Sequence, residues 1–316
     1  MKTLLSRAIV ICTVVICAVI FVFTWSASAQ ENSISQALFD TVSSKIPVGK
    51  ITKQGFDWFK VTFASGFNIM RIGLDSSLRL VQNGLLWPPP WLFILAIGAL
   101  SYLIKRDWKN TAFTIIGFAF IFNQGYWKDT MESLSLLIWS FTLCMGFGVP
   151  IGIYAAHHPR LYRLLQPILD MMQVVPSFVY LLPGMALFRI GMVPGLIATV
   201  IFVIPIAIRL TEQGISATPK SLIEAGEAFG ASRRQRLWKV ELPFAVPLIR
   251  AAMTQTILLS LSMVVIAAAV GANGLGKQVY VALQRNDVAL GFESGLVIVV
   301  VAIVLDRLFR PAREGR

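Results

Sequence analysis

The sequence predicts an all-α, polytopic transmembrane helical bundle of about seven or eight spans. Hydrophobic residues make up 56% and charged residues 14% of the 316-residue chain, whereas soluble globular proteins carry about a quarter charged. The apolar residues fall in long runs separated by short basic turns. One polar island, Glu212 to Glu241, lies between two such runs, so a charged, folded module must sit at the membrane surface rather than within it.

The net charge of +12 raises nucleic-acid binding as an alternative. The basic residues instead gather at the ends of apolar runs, where the positive-inside rule wants them, so no nucleic-acid partner is expected. Cys12, Cys17 and Cys144 lie inside apolar segments and read as small core residues rather than a disulfide or metal site.

Hydropathy and charge place spans at Ala8–Trp25, Trp91–Ile104, Thr111–Phe122, Leu134–Ala156, Leu164–Phe188, Val193–Leu210, Leu248–Val270 and Leu290–Leu305. The second and third are short for a perpendicular helix and extend into flanking residues. Lys105, Arg106 and Lys109 mark one cytoplasmic turn, and Arg160 and Arg163 the next. Arg233, Arg234, Arg236 and Lys239 mark the polar island, and Arg307, Arg310, Arg313 and Arg316 the C-terminal end. The island is therefore cytoplasmic.

The first span has two readings. Ala27-Ser28-Ala29, behind an apolar run and the charges of Lys2 and Arg7, has the small-x-small form of a signal-peptidase site. Residues 1–29 are either a cleaved signal peptide or a first anchor, and residues 30–90 face outward in both cases. Within that segment Phe56, Phe59, Phe63, Phe67, Met70, Leu74 and Leu78 recur at helical spacing, with Arg71, Asp75 and Arg79 on another face. One or two amphipathic helices lying along the bundle or the bilayer surface are expected. Trp87-Pro88-Pro89-Pro90-Trp91 then breaks the helix at the interface. Residues 91–130 form accessory helices and residues 131–310 the core, with a cytoplasmic loop at 211–247.

Within the island, Thr218-Pro219 offers an N-cap followed by proline at the first helical position, and Ser221-x-x-Glu224 an alternative capping box. The helix runs to Phe229 and Gly230 ends it. Ser232-x-x-Gln235 is a second capping box, opening a helix with Leu237, Trp238 and Val240, which Leu242-Pro243 and Pro247 should terminate. Ala225, Gly226 and Ala228 permit close approach by another protein. An ordinary amphipathic surface loop is the plainer alternative.

The run E-A-G-E-A-F-G-A-S-x-x-Q-x-L-W-K-V-E-L-P, Glu224 to Pro243, resembles the EAA loop of membrane subunits of binding-protein-dependent ABC importers. Only Gly226 departs from the pattern E-A-A. Gln166-Pro167-I-L-D-x-M-Q-x-x-P-x-F-V-Y-L-x-P, ending at Pro183, is similar to permeases of glycine betaine, proline betaine and choline importers. So are Gln255-Thr256, Leu261 to Ala267, Gly274-Leu275-Gly276 and Leu305-Asp306-Arg307. The resemblance spans roughly Leu134 to Arg307. It implies an ABC importer permease in the bacterial inner membrane, multi-pass, homodimeric and surrounded by lipid. An ABC ATPase subunit would seat the loop through Glu224, Ala225, Gly226, Gly230, Leu242 and Pro243, and a periplasmic substrate-binding protein would deliver the solute. It also implies that the chain is not an enzyme and binds no cofactor directly, ATP and Mg being used by the partner ATPase.

Gly271-x-x-x-x-Gly276-Lys277 imitates a P-loop, but Gln278 stands where Ser or Thr should hold magnesium, so a glycine-rich turn between spans is expected. Asp170 and Gln173 follow Pro167 on a span interrupted by Pro176 and Pro183. These polar groups and freed carbonyls either border a solute path or serve helix packing. Phe178 and Tyr180 on the same span could meet a quaternary ammonium through cation–π attraction, or pack. Arg189 and Glu293 read as interfacial or mutually paired charges. His157-His158 reads as a cytoplasmic turn, with no metal site. An importer for an amino acid or a sulfonate remains open, as does an ion-coupled secondary transporter, although inverted repeats and midplane charges are not evident.

Overall fold

A computed structural model describes residues 48–309. The expected span Ala8–Trp25, the Ala27-Ser28-Ala29 site, Cys12, Cys17 and the last arginines lie outside the described residues. The chain divides between Thr62 and Phe63 into two compact units. The described part of the first is a single amphipathic helix, α1 (Val48–Thr62).

The second unit begins with α2 (Ala64–Leu86), which carries the Phe67, Met70, Leu74 and Leu78 part of the expected stripe, Phe56 and Phe59 lying in α1. Its Leu78 packs with Phe188, Val193 and Leu196, flanked by Phe67, Leu74 and Trp139. Trp139 Nε1 donates to the Ser77 carbonyl at 3.1 Å, and Arg79 pairs with Asp75 one turn away. The Trp-Pro-Pro-Pro-Trp stretch ends this helix, and α3 (Pro90–Lys105) leaves at 94° to it. Proline at the first position of α3 loses no helical hydrogen bond there.

Helices α3 and α4 (Trp108–Asn123) form a hairpin, each 16 residues long and thus short for a span, as expected. Asp107 caps α4 by accepting from the Lys109 N–H. The next helix, α5 (Trp127–Ala156), starts seven residues before the expected Leu134. Hydropathy stops at Asp129, Glu132 and Ser133, but Thr130, Glu132, Ser133 and Ser135 are buried against protein, where hydrogen bonding makes polar residues tolerable. Gln82 donates to Glu132 at 3.1 Å.

The expected single span Leu164–Phe188 is corrected. It is two helices, α6 (Pro159–Val174) and α7 (Ser177–Phe188), meeting at 93°. Pro176 is responsible: it has no N–H to offer Met172 and disfavours helical geometry at Val175, which sits at ψ 126. Pro183 lies inside α7 without breaking it.

Helix α8 (Met192–Ser216) is the centre of the bundle, packing on α5 and on α11 (Leu242–Ala267). Small residues make this close packing possible. A Cβ on Gly148 would lie 2.6 Å from Ala207 Cβ, one on Gly152 2.6 Å from the Ile208 carbonyl, and one on Gly195 2.7 Å from Ala267 Cβ. Gly148 and Gly152 are one turn apart on α5, the small-xxx-small spacing that lets membrane helices touch at backbone distance. After α11 come a 3-10 turn (Ala268–Val270), α12 (Leu275–Arg285), and α13 (Val288–Phe309). Phe118, Ile121, Leu134, Leu137, Ile257, Leu261, Val297 and Val301 belong to the largest apolar cluster among the described residues, joining α4, α5, α11 and α13.

Four helical runs, Trp127–Ala156, Met192–Ser216, Arg233–Val270 and Val288–Phe309, are long and apolar enough to cross a membrane. The two bent pairs raise the number to six among the described residues.

Candidate functional site

The polar island folds as a glycine-cornered knob. Helix α9 (Lys220–Ala228) follows Pro219, which occupies the N-cap position itself. The expected side-chain caps from Thr218 and Ser221 do not form, because Thr218 is buried and proline's extended ψ of 133° already starts the turn. At the other end the expectation holds. Gly230 has φ +75°, its N–H bonds the Glu227 carbonyl at 2.9 Å, and Ala231 N–H bonds the Gly226 carbonyl at 3.0 Å. This is the Schellman arrangement, in which a left-handed residue satisfies the last carbonyls of a helix.

Ser232 opens α10 (Arg233–Arg236) with both halves of the expected capping box, at 3.3 Å from Gln235 N and 2.8 Å back from Gln235 Oε1. Leu242-Pro243 and Pro247, however, do not stop the helix. A π-turn (Leu237–Glu241) follows, with Leu242 N–H bonding the Leu237 carbonyl, and the chain runs straight into α11. The widened register accommodates Pro243 in the first turn of α11, where its missing N–H does little harm.

Glu224, Ala225, Gly230 and Pro243 are exposed and Gly226 and Leu242 half-buried. The sequence reading passed over Phe229, whose side chain is 92% exposed at the apex beside Gly230. It also passed over a polar network. Glu241, only 3% exposed, accepts from Arg236 Nε at 2.9 Å and faces His157 Nε2 at 2.7 Å. Arg236 also pairs with Glu227. His157 lies in the turn after α5, where it was expected, and the contact with Glu241 is what the pattern did not show. That partner lies 84 positions away, beyond any local pattern. His158 stacks on Tyr154 at 4.2 Å between ring centroids.

The proposed path residues gather at the α6–α7 bend. Asp170, 53% exposed at its side chain, pairs with Arg209 of α8 at 2.5 Å. Gln173 is half-buried, Pro176 begins the turn and Phe178 is exposed. The Tyr180 hydroxyl donates to the Met172 carbonyl at 3.0 Å. That carbonyl is the one orphaned by Pro176, so the expectation of a freed carbonyl is corrected here: Tyr180 takes the place of the missing N–H.

At the other end of α5, the glycine-rich turn is held tightly. Ser133 Oγ accepts the Leu275 N–H at 2.8 Å, and Gln278 donates to Asp129 at 3.1 Å. Gly271 and Gly274 have φ +82° and +113°. Glu293 takes the hydroxyl of Tyr126 rather than Arg189, and burial, then the Glu293 carboxylate, pushes that phenol above its ordinary pKa. Among the described residues no three His, Cys, Asp or Glu side chains gather as a metal site.

Residues 148–310 match the family described as binding-protein-dependent transport system inner membrane component. The chain is 44% identical to the glycine betaine transport system permease protein OpuAB of Bacillus subtilis (strain 168), covering 84% of this chain and 93% of that one. It is 40% identical to the glycine betaine/proline betaine transport system permease protein ProW of Escherichia coli (strain K12), covering 86% and 77%. The fold is similar to that in an inward-facing structure of the MetNI methionine ABC transporter, with a TM-score of 0.51 and 24% identity over 57% of this chain and 92% of that chain.

Proposed function

The chain belongs to the binding-protein-dependent transport system inner membrane components, and from that premise we propose that it imports glycine betaine or a related quaternary ammonium solute, proline betaine or choline. It is a multi-pass inner-membrane permease. In this reading two copies form the pathway, an external binding protein delivers the solute, and two ATPase subunits supply the power stroke. Each ATPase seats the knob from Glu224 to Pro243.

One observation carries the docking assignment. The knob is shaped by internal bonds, the Schellman corner and the capping box, yet among the described residues its apex presents Phe229 at 92% exposure. An ordered, exposed aromatic on a small-residue helix suits a partner's groove, since aromatic anchors dominate interface energies. Nucleotide-driven closure of the ATPases would then move the knobs together and rock the attached helices between inward- and outward-open arrangements. Asp170, Gln173, Pro176, Phe178 and Tyr180 border the path in this scheme, with the Asp170–Arg209 pair at its cytoplasmic side.

Uptake by proteoliposomes holding the full complex tests the reading. Radiolabelled glycine betaine should accumulate only with internal ATP and external binding protein. Accumulation driven by a cation gradient alone would overturn it, and ATP-driven uptake of an amino acid or sulfonate in preference to betaine would overturn the solute assignment.

A further inference from the structure

The knob is joined covalently to α8 and α11, but α5 leaves the cytoplasmic side by another route, through His157 into α6. Beside the contact between knob and α5 lies a cleft of about 1040 Å³, walled by Val149, Ile153 and Tyr154 of α5 and by Leu237 and Trp238 of the knob. Open space of that size transmits no displacement. The bridge across it is polar: Glu227 of α9 to Arg236 of α10, Arg236 to Glu241 of the π-turn, and Glu241 to His157 at the end of α5. Each helical piece of the knob contributes one member.

We propose that Glu227, Arg236, Glu241 and His157 form a strut that delivers movement of the docking knob to α5. The proposal rests on the reading of the knob as the ATPase dock. Three features give the strut stiffness. His157 Nδ1 lies 2.8 Å from the Ile153 carbonyl, which fixes the ring so that Nε2 faces Glu241. Both ring nitrogens thus lie within hydrogen-bond distance of an oxygen, which holds the ring at two points. Glu241 is almost fully buried and uses both oxygens, so charge-assisted bonds hold it at two points. The π-turn rotates Glu241 toward α5 relative to a regular helical register.

Helix α5 is suited to receive such a push. It is 30 residues long, locked to α8 at Gly148 and Gly152, and bonded at its far end through Ser133 and Asp129 to the turn that opens α12. The strut therefore connects the knob, by way of one continuous helix that carries Pro150 near its cytoplasmic end, with the glycine turn at the opposite end of the bundle. His157, Arg236 and Glu241 are positioning residues that touch neither solute nor nucleotide.

The test uses the assembled complex with ATPase and binding protein in proteoliposomes, comparing His157→Ala, His157→Gln and Gly230→Asp with the unmodified protein. Three quantities are read: ATPase retained on purification, ATP hydrolysed, and solute imported per ATP. His157→Ala should retain the ATPase and hydrolyse ATP while solute per ATP falls about tenfold, the factor equivalent to one charge-assisted hydrogen bond. His157→Gln, which keeps a side-chain donor, should recover most of the ratio. An unchanged ratio in His157→Ala overturns the strut, and so does a drop that arises only from lost ATPase. Failure of the underlying docking reading shows itself separately, as Gly230→Asp retaining full ATPase stimulation and uptake.

Discussion

Among the turns that place glycine at positive φ, the one before α12 and the one at the knob have opposite surroundings. At the turn before α12, a Cβ on Gly274 would fall 2.4 Å from Ser133 Oγ and 3.1 Å from Ser133 N, and one on Gly271 would fall 2.4 Å from Ile190 Cγ2. At the knob, Gly230 has φ +75° and nothing within 4 Å of the corresponding position. The first turn needs glycine for both backbone and space. The second needs it for backbone alone, leaving its outer surface free. Gly125 and Gly191 are equally open, so space beside a glycine does not by itself mark a dock; the knob's turn adds the exposed Phe229 next to it.

The largest expected effect falls at the packed turn. Gly274→Ala forces a side chain into Ser133 at an unfavourable φ and should destabilise the fold by about 3 kcal/mol. Thermal unfolding of the detergent-solubilised protein should show a clear drop in midpoint, or loss of monodisperse protein. An unchanged midpoint would erase the distinction between the two turns.

Phe229→Ala should act on association rather than folding. Truncating an aromatic anchor weakens an interface by about 2 kcal/mol, which titration of ATPase onto the purified permease would register, with the unfolding midpoint unmoved. Next comes Gly230→Asp, which imposes about 1 kcal/mol of left-handed strain on a non-glycine residue. It should reach the membrane normally and lose solute-stimulated hydrolysis because the second half of the knob is misaimed. The smallest effect belongs to Gly226→Ala. Its Cβ would meet only Val240 Cγ2 at 3.9 Å, and removing a helical glycine gains up to about 1 kcal/mol. Uptake should be at least normal, and a severe loss would mean that the partner needs the bare backbone there.

The contrast also separates what was legible in the sequence. Gly230 and the Ser232–Gln235 box are local chemistry, bonds between residues three to five apart, and both stand where the pattern put them. The break at Trp87 to Trp91 was likewise readable, since proline acts within a turn or two. Pro243 misled because a π-turn changes the register upstream of it, and nothing in L-W-K-V-E announces an extra residue per turn. Pro176 was recognised as an interruption, but the 93° bend and the rescue of the Met172 carbonyl by Tyr180 depend on where α7 goes afterwards. The start of α5 was missed because burial of Glu132 and Ser133 is supplied by α2 and α12, far away in sequence. The Glu241–His157 contact had no signal at all: two histidines in a turn and one acid before a proline become partners only when α5 and the π-turn are brought together.

The central claim is that the knob's uncovered apex is the ATPase dock. A photoreactive phenylalanine analogue in place of Phe229, activated in the assembled and transport-competent complex, tests it most directly. A cross-linked product containing this chain and the ATPase subunit, its yield changing with nucleotide, is expected. Transport-competent complex that yields no adduct with the ATPase in any nucleotide state would contradict it.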